Sequence, residues 1–120
     1  MSNYGFLVVE CEGSYQIVAD VSSRSEALEM AANYLTAAGP DQDCLAPESF
    51  VVNRRGAGGW FTVREVLADK DVTEAVALLA EIKQVERAIR VAAHRSPAAE
   101  LMRMNLEDLN SRFAYLGGAR

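Results

Sequence analysis

Residues 4–38, YGFLVVECEGSYQIVADVSSRSEALEMAANYLTAA, carry the pattern from which the fold is read. Tyr4 to Cys11 is dense in β-branched and aromatic residues, as a strand requires. Glu12-Gly13 follows as a tight turn, because glycine takes positive φ without steric cost. Tyr15 to Val21 then alternates, with Tyr15, Ile17, Ala19 and Val21 on one face and Gln16, Val18 and Asp20 on the other. A period of two marks a half-buried strand, so the pair forms a β-hairpin. Ser23-Arg24-Ser25-Glu26 reads as a capping box. Its serine hydroxyl accepts the Glu26 N–H while the Glu26 carboxylate reaches back to the Ser23 N–H. The helix opened there sets Ala27, Leu28, Ala31, Tyr34, Leu35 and Ala38 on one face and stops at Gly39-Pro40.

Beyond a polar loop at 40–49, hairpin-then-helix recurs. Phe50 to Asn53 and Trp60 to Val66 flank the tip Arg54-Arg55-Gly56-Ala57-Gly58-Gly59, whose glycines make it loose and wide. Asp71-Val72-Thr73-Glu74 is a second capping box, and Ala75, Leu78, Ile82, Val85, Ile89 and Ala92 then recur at spacings of three and four. Ser96-Pro97 caps a third helix, with proline where its missing N–H costs nothing. Met102, Leu106, Leu109, Phe113 and Leu116 repeat the spacing until Gly117-Gly118.

The expected fold is therefore α+β, in the order ββαββαα. Two hairpins make a mainly antiparallel four-stranded sheet with one packed helix, and a C-terminal helical hairpin follows. Residues 1–120 form one domain, with sheet and helix in 1–70 and the helical hairpin in 71–120. Two outcomes stay open for the helical seams: they zip onto each other, or part of one faces a second copy of the chain. A homodimer through the C-terminal helices is the expected state.

The chain has 120 residues, is half apolar and carries a net charge of -5. A chain of this size buries roughly two-thirds of its unfolded surface, enough for one core. No apolar run approaches the ~20 residues that span a bilayer, and Met1 to Asn3 leads straight into a strand. Cys11 and Cys44, without an export signal, point to free thiols in a reducing cytoplasm. Membrane, collagen-like, disulfide-scaffold and disordered classes are excluded on this basis. Charge is uneven: residues 1–50 hold Arg24 alone against eight carboxylates. An acidic half repels phosphate backbones and attracts a basic surface, and it also simply keeps a small domain dispersed.

Reactive constellations are missing from the pattern. His94 is the one histidine, and it falls on the helix stripe Lys83, Arg87, Arg90, His94. A stripe of cations supplies neither a triad partner nor a second metal ligand. It is a solvated face, or alternatively an anion-binding ridge. Cys11 and Cys44 have no neighbouring imidazole to activate a thiol. Asp41-Gln42-Asp43 begins like a calcium loop, but Leu45 takes the third ligand position and Ala46 the place of the required glycine. Glu10 and Glu12 flank a hairpin turn, where water solvates them. Gly56 to Gly59 runs from strand to strand, so no helix N-terminus meets an anion there. No catalytic residue, metal or cofactor is expected, and the chain is read as no enzyme.

The second tip is the local feature that asks for a role. Arg54 and Arg55 stand at one end and Trp60, the only tryptophan, at the other. Arginine and tryptophan recur in binding hot spots because both join large contact area to directional polar groups. Three readings remain: Trp60 packs in the sheet, the tip contacts a protein, or it stacks a base and clasps phosphate. The hairpin followed by Ser23, Glu26, Ala27, Leu28 and Ala31 resembles the partner-binding module of HicB-type antitoxins, without the proline-glycine-cysteine segment of that family. In format alone the chain is also similar to phage and plasmid inhibitors of host defence complexes. The expectation is a cytoplasmic, non-catalytic protein-binding regulator or inhibitor, using Arg54, Arg55 and Trp60 or its acidic half. The alternative is a nucleic-acid accessory using the Lys83–His94 stripe together with the tip.

Overall fold

A computed structural model describes residues 4–36, 47–92 and 96–117. Seven elements follow in the order β1 (Gly5–Cys11), β2 (Ser14–Val21), α1 (Arg24–Thr36), β3 (Ser49–Arg54), β4 (Val63–Val66), α2 (Asp69–Val91) and α3 (Pro97–Leu116). This is the expected ββαββαα order. The sheet runs β2-β1-β3-β4, and each neighbouring pair is antiparallel. Thus the two hairpins join through β1 and β3, leaving β2 and β4 as edges.

One sheet face is covered by helices. Leu7, Val9, Val21, Phe50 and Val52 point that way and pack with Ala27, Leu28, Ala31 and Ala32 of α1 and Val72 and Ala75 of α2. These side chains lose nearly all contact with water, and each large one contributes roughly 1.5–3 kcal/mol by that transfer. Further along, Leu78 and Ile82 of α2 meet Leu109 of α3, with Val85, Leu106 and Phe113 around them. The two seams close on each other within one chain.

Four local expectations are corrected. Strand β2 does not alternate throughout: Leu7 pairs with Ala19, but Val8 pairs with Ile17, so Val18 is an extra residue in a β-bulge. The bulge flips the phase. Val18 and Ala19 both approach the core, while Tyr15 and Ile17 turn to the opposite face from Val21. At α1, the Ser23 hydroxyl accepts the Glu26 N–H at 3.1 Å as expected. The Glu26 carboxylate, however, accepts from the Ser22 N–H and hydroxyl at 3.3 and 2.9 Å, one residue earlier than a capping box predicts. Helix α2 starts at Asp69 after Ala68, without a side-chain cap. Asp71 falls inside the first turn, where its carboxylate serves Arg24 instead. Finally, β4 begins only at Val63, because Trp60 to Thr62 fold away from the ladder. The Ser96 cap does form, accepting from the Ala99 N–H at 3.1 Å.

Cys11 is disulfide-bonded, so the expectation of a free thiol there is overturned. The other cysteine of the sequence, Cys44, lies outside the described residues, as do Asp41-Gln42-Asp43 and His94. With the thiol argument gone, the inference of a reducing compartment loses its support. Among the described residues no helix is long and apolar enough to cross a membrane.

Candidate interaction surface

Among the described residues no helix covers the second face of the sheet, whose residues follow from the strand register. Ile17 pairs with Val8, Val8 with Val51 and Val51 with Val66, so an aliphatic band crosses all four strands. On one side of the band lie Tyr15, Glu10 and Ser49, which are also cross-strand neighbours. On the other lie Phe6, Asn53 and Arg64. Arg64 Nη2 reaches back across the band and donates to both Glu10 carboxylate oxygens at 2.7 Å. The Ser49 hydroxyl donates to the same carboxylate at 2.8 Å.

This bridge spans the level of Val51 and takes the place of a covering layer at the centre of the band. Val8 is 5 % exposed and Val51 1 %, although no helix lies over them. The ends of the band stay open, with Ile17 and Val66 exposed. The guanidinium of Arg64, and then the Ser49 hydroxyl, hold the Glu10 carboxyl below its ordinary value near 4.5. Glu10 is therefore not the merely solvated carboxylate that its place beside a turn suggested.

The tip of the second hairpin folds onto the same face. Gly58 and Gly59 sit at φ 86° and 83°, where a side chain is strained, and they turn the chain back. The Phe61 ring then lies 4.8 Å from that of Phe6, and the Arg55 guanidinium stacks 4.4 Å from the Phe61 centroid. Arg55 also donates to the Gly59 carbonyl. The Gly56 N–H donates to the Trp60 carbonyl at 2.7 Å and the Gly59 N–H to the Gly56 carbonyl at 3.1 Å. A tip with these internal bonds is closed, not loose. Trp60 stands out from it, 74 % exposed.

Arg54 is separated from its neighbour. It lies in register with Gly5 and Val63 on the helix-covered side of β3, next to Glu65 (Nε to Oε1, 3.4 Å) and 5.7 Å from the Tyr4 ring centroid. Glu65 is shared with Arg24 (Nε to Oε2, 3.8 Å), whose two terminal nitrogens donate to Asp71 at 2.8 Å and to the Leu116 carbonyl at 2.7 Å. Burial, and then the negative charge of Glu65, push the Tyr4 phenol above its ordinary value. Arg54 therefore belongs to a cluster that ties β3, β4, α1, α2 and α3 together.

Lys83 and Arg87 lie on the opposite layer from the tip. With Ala32, Asn33, Val76 and Leu79 they line an open groove of about 350 Å³ between α1 and α2. Arg90, one turn on, is exposed. Hence the tip and the basic stripe do not form one surface. Among the described residues no cluster of three or more His, Cys, Asp or Glu side chains is placed to hold a metal ion. The aromatic content of the outer face was hidden in the sequence by the bulge at Val18 and by the return of Phe61 onto Phe6. No protein-family model, no curated protein and no solved structure matches the chain.

Proposed function

We propose that the protein is a non-catalytic binding module, a regulator or inhibitor that docks on another protein through its outer sheet face and second hairpin tip. One observation carries this reading: Tyr15, Ile17, Phe61 and Val66, all exposed, share the face that no described helix covers, and the exposed Trp60 stands beside Phe61 on the tip folded onto it. Apolar side chains gathered in this way, rimmed by Arg55, Arg64 and Glu10, have the make-up of an association surface. Trp60 is the anchor. Its ring offers a large rigid area at small entropic cost, and Arg55 is already oriented by its stack on Phe61. Arg54 is occupied by Glu65 and Tyr4, which removes it from the docking set of this proposal.

Affinity capture from the source cells tests the reading. Trp60→Ala and Ile17→Glu should each reduce recovery of the bound protein at least about tenfold, the loss expected for a hot-spot residue, with unchanged circular dichroism. Equal recovery by these variants and the parent would refute the surface.

A further inference from the structure

The α1–α2 groove, on the opposite layer from the docking face, holds two kinds of surface in succession. Along α2, Val76, Leu79 and Ala80 come first, across from Ala32 of α1, and Lys83 and Arg87 follow on the next turns. One stretch is aliphatic and the next is cationic. From Val76 to Arg87 the helix rises about 16 Å. The groove's volume of about 350 Å³ falls within the ~300–1,000 Å³ of small-molecule sites. Charge sets a second constraint. Arg24, Arg54, Arg64, Arg103 and Arg112 are each bridged to a carboxylate. Among the described residues, neither Lys83 nor Arg87 has an ion-pair partner, although the chain carries a net charge of -5. Glu81 lines the same groove without reaching either cation.

We infer that this groove binds a free medium-chain fatty acid as its anion. The alkyl chain lies over Ala32, Val76, Leu79 and Ala80, and the carboxylate accepts from the Lys83 ammonium and the Arg87 guanidinium. A saturated chain of about ten carbons matches the ~16 Å of helix between Val76 and Arg87. Two cations beside the one carboxylate of Glu81 suit a single negative charge and disfavour a polyphosphate. The described lining holds no aromatic ring, so it offers no platform for stacking a base. The site lies apart from the outer sheet face and leaves it open.

Titration of the full chain with sodium decanoate, followed by calorimetry and by the methyl NMR signals of Val76 and Leu79, reads the outcome. Binding should saturate at one site, with a dissociation constant below ~1 mM. Each two-carbon step from octanoate to dodecanoate should tighten it at least about threefold, as buried methylenes require. Decanol, which lacks the charge, should bind at least about tenfold more weakly. Lys83→Glu and Arg87→Glu should each raise the decanoate dissociation constant at least about tenfold, with circular dichroism unchanged because both side chains are exposed. Ala80→Phe, at an exposed position of the lining, should block the chain in the same way. Ile17→Glu, on the outer sheet face, should leave decanoate binding unchanged. The absence of saturable binding up to ~1 mM would overturn the inference. So would binding that survives Lys83→Glu combined with Arg87→Glu, or that Ile17→Glu abolishes. Capture by vesicles of phosphatidylglycerol without binding of free decanoate would overturn it too, by assigning the cations to a membrane surface.

Discussion

Replacing Arg24 by Met isolates the cluster that fastens the helical hairpin to the sheet. The change keeps most of the apolar stem and removes the guanidinium fork. Two charge-assisted bonds are lost, to Asp71 at 2.8 Å and to the Leu116 carbonyl at 2.7 Å, together with the longer pairing to Glu65. Hydrogen bonds to charged groups contribute about 1.5–3 kcal/mol each. The Arg24 side chain keeps 23 % of its exposure, so water replaces part of what is lost and the lower end applies. The expected cost is about 3 kcal/mol, or roughly 10 °C in melting temperature for a domain of this length. Urea unfolding followed at 222 nm measures it. Arg24→Lys should recover less than half, because one ammonium cannot serve Asp71 and the Leu116 carbonyl in two directions. A cost below about 1 kcal/mol, the scale of an exposed pair, or full recovery by Lys, would refute the account of the cluster.

Other consequences are equally direct. Gly117→Ala should destabilise by about 1–3 kcal/mol through overpacking, since a Cβ there collides with Ser25 Oγ and lies 2.7 Å from Ser25 Cα. The backbone at φ -74° is ordinary, so urea unfolding of Gly117→Ala reads steric contact between α3 and α1. The depressed Glu10 pKa means that the Arg64 bridge stabilises the fold above the ordinary carboxylate value and is lost as pH falls through the folded one. Carboxyl-detected NMR titration should place Glu10 below 4.5, and Arg64→Gln should move it back towards that value. An unmoved titration contradicts the bridge. Without reductant, Cys11 should resist alkylation by iodoacetamide, and after reduction it should react; peptide mass spectrometry distinguishes the two. Full labelling of the native protein would contradict the disulfide.

Regular periodicity made much of the architecture readable from sequence. The β-branched and aromatic density of Tyr4 to Cys11, the Ser23 and Ser96 hydroxyls and the seams of α2 and α3 all report local backbone geometry, which depends on near neighbours. What escaped depends on distant ones. The bulge at Val18 is set by pairing to Leu7 and Val8, and it decides which face receives Tyr15 and Ile17. Asp71 looks like a cap until Arg24, distant in sequence, claims its carboxylate. Trp60 and Phe61 read as strand because aromatic residues favour strands. The Phe6 ring and two glycines at positive φ redirect them. Helix α3 shows two stripes at similar spacing, and only the position of α2 separates the buried one from the exposed one.

The outer sheet face is the centre of the functional account, and hydrogen–deuterium exchange on the protein, alone and with its captured partner bound, tests it most directly. Exchange should slow in 14–18, 55–62 and 63–66, the two sheet edges and the tip, and stay unchanged along α2. Slowing confined to the α1–α2 groove around Lys83 and Arg87, with both sheet edges unaltered, would contradict it.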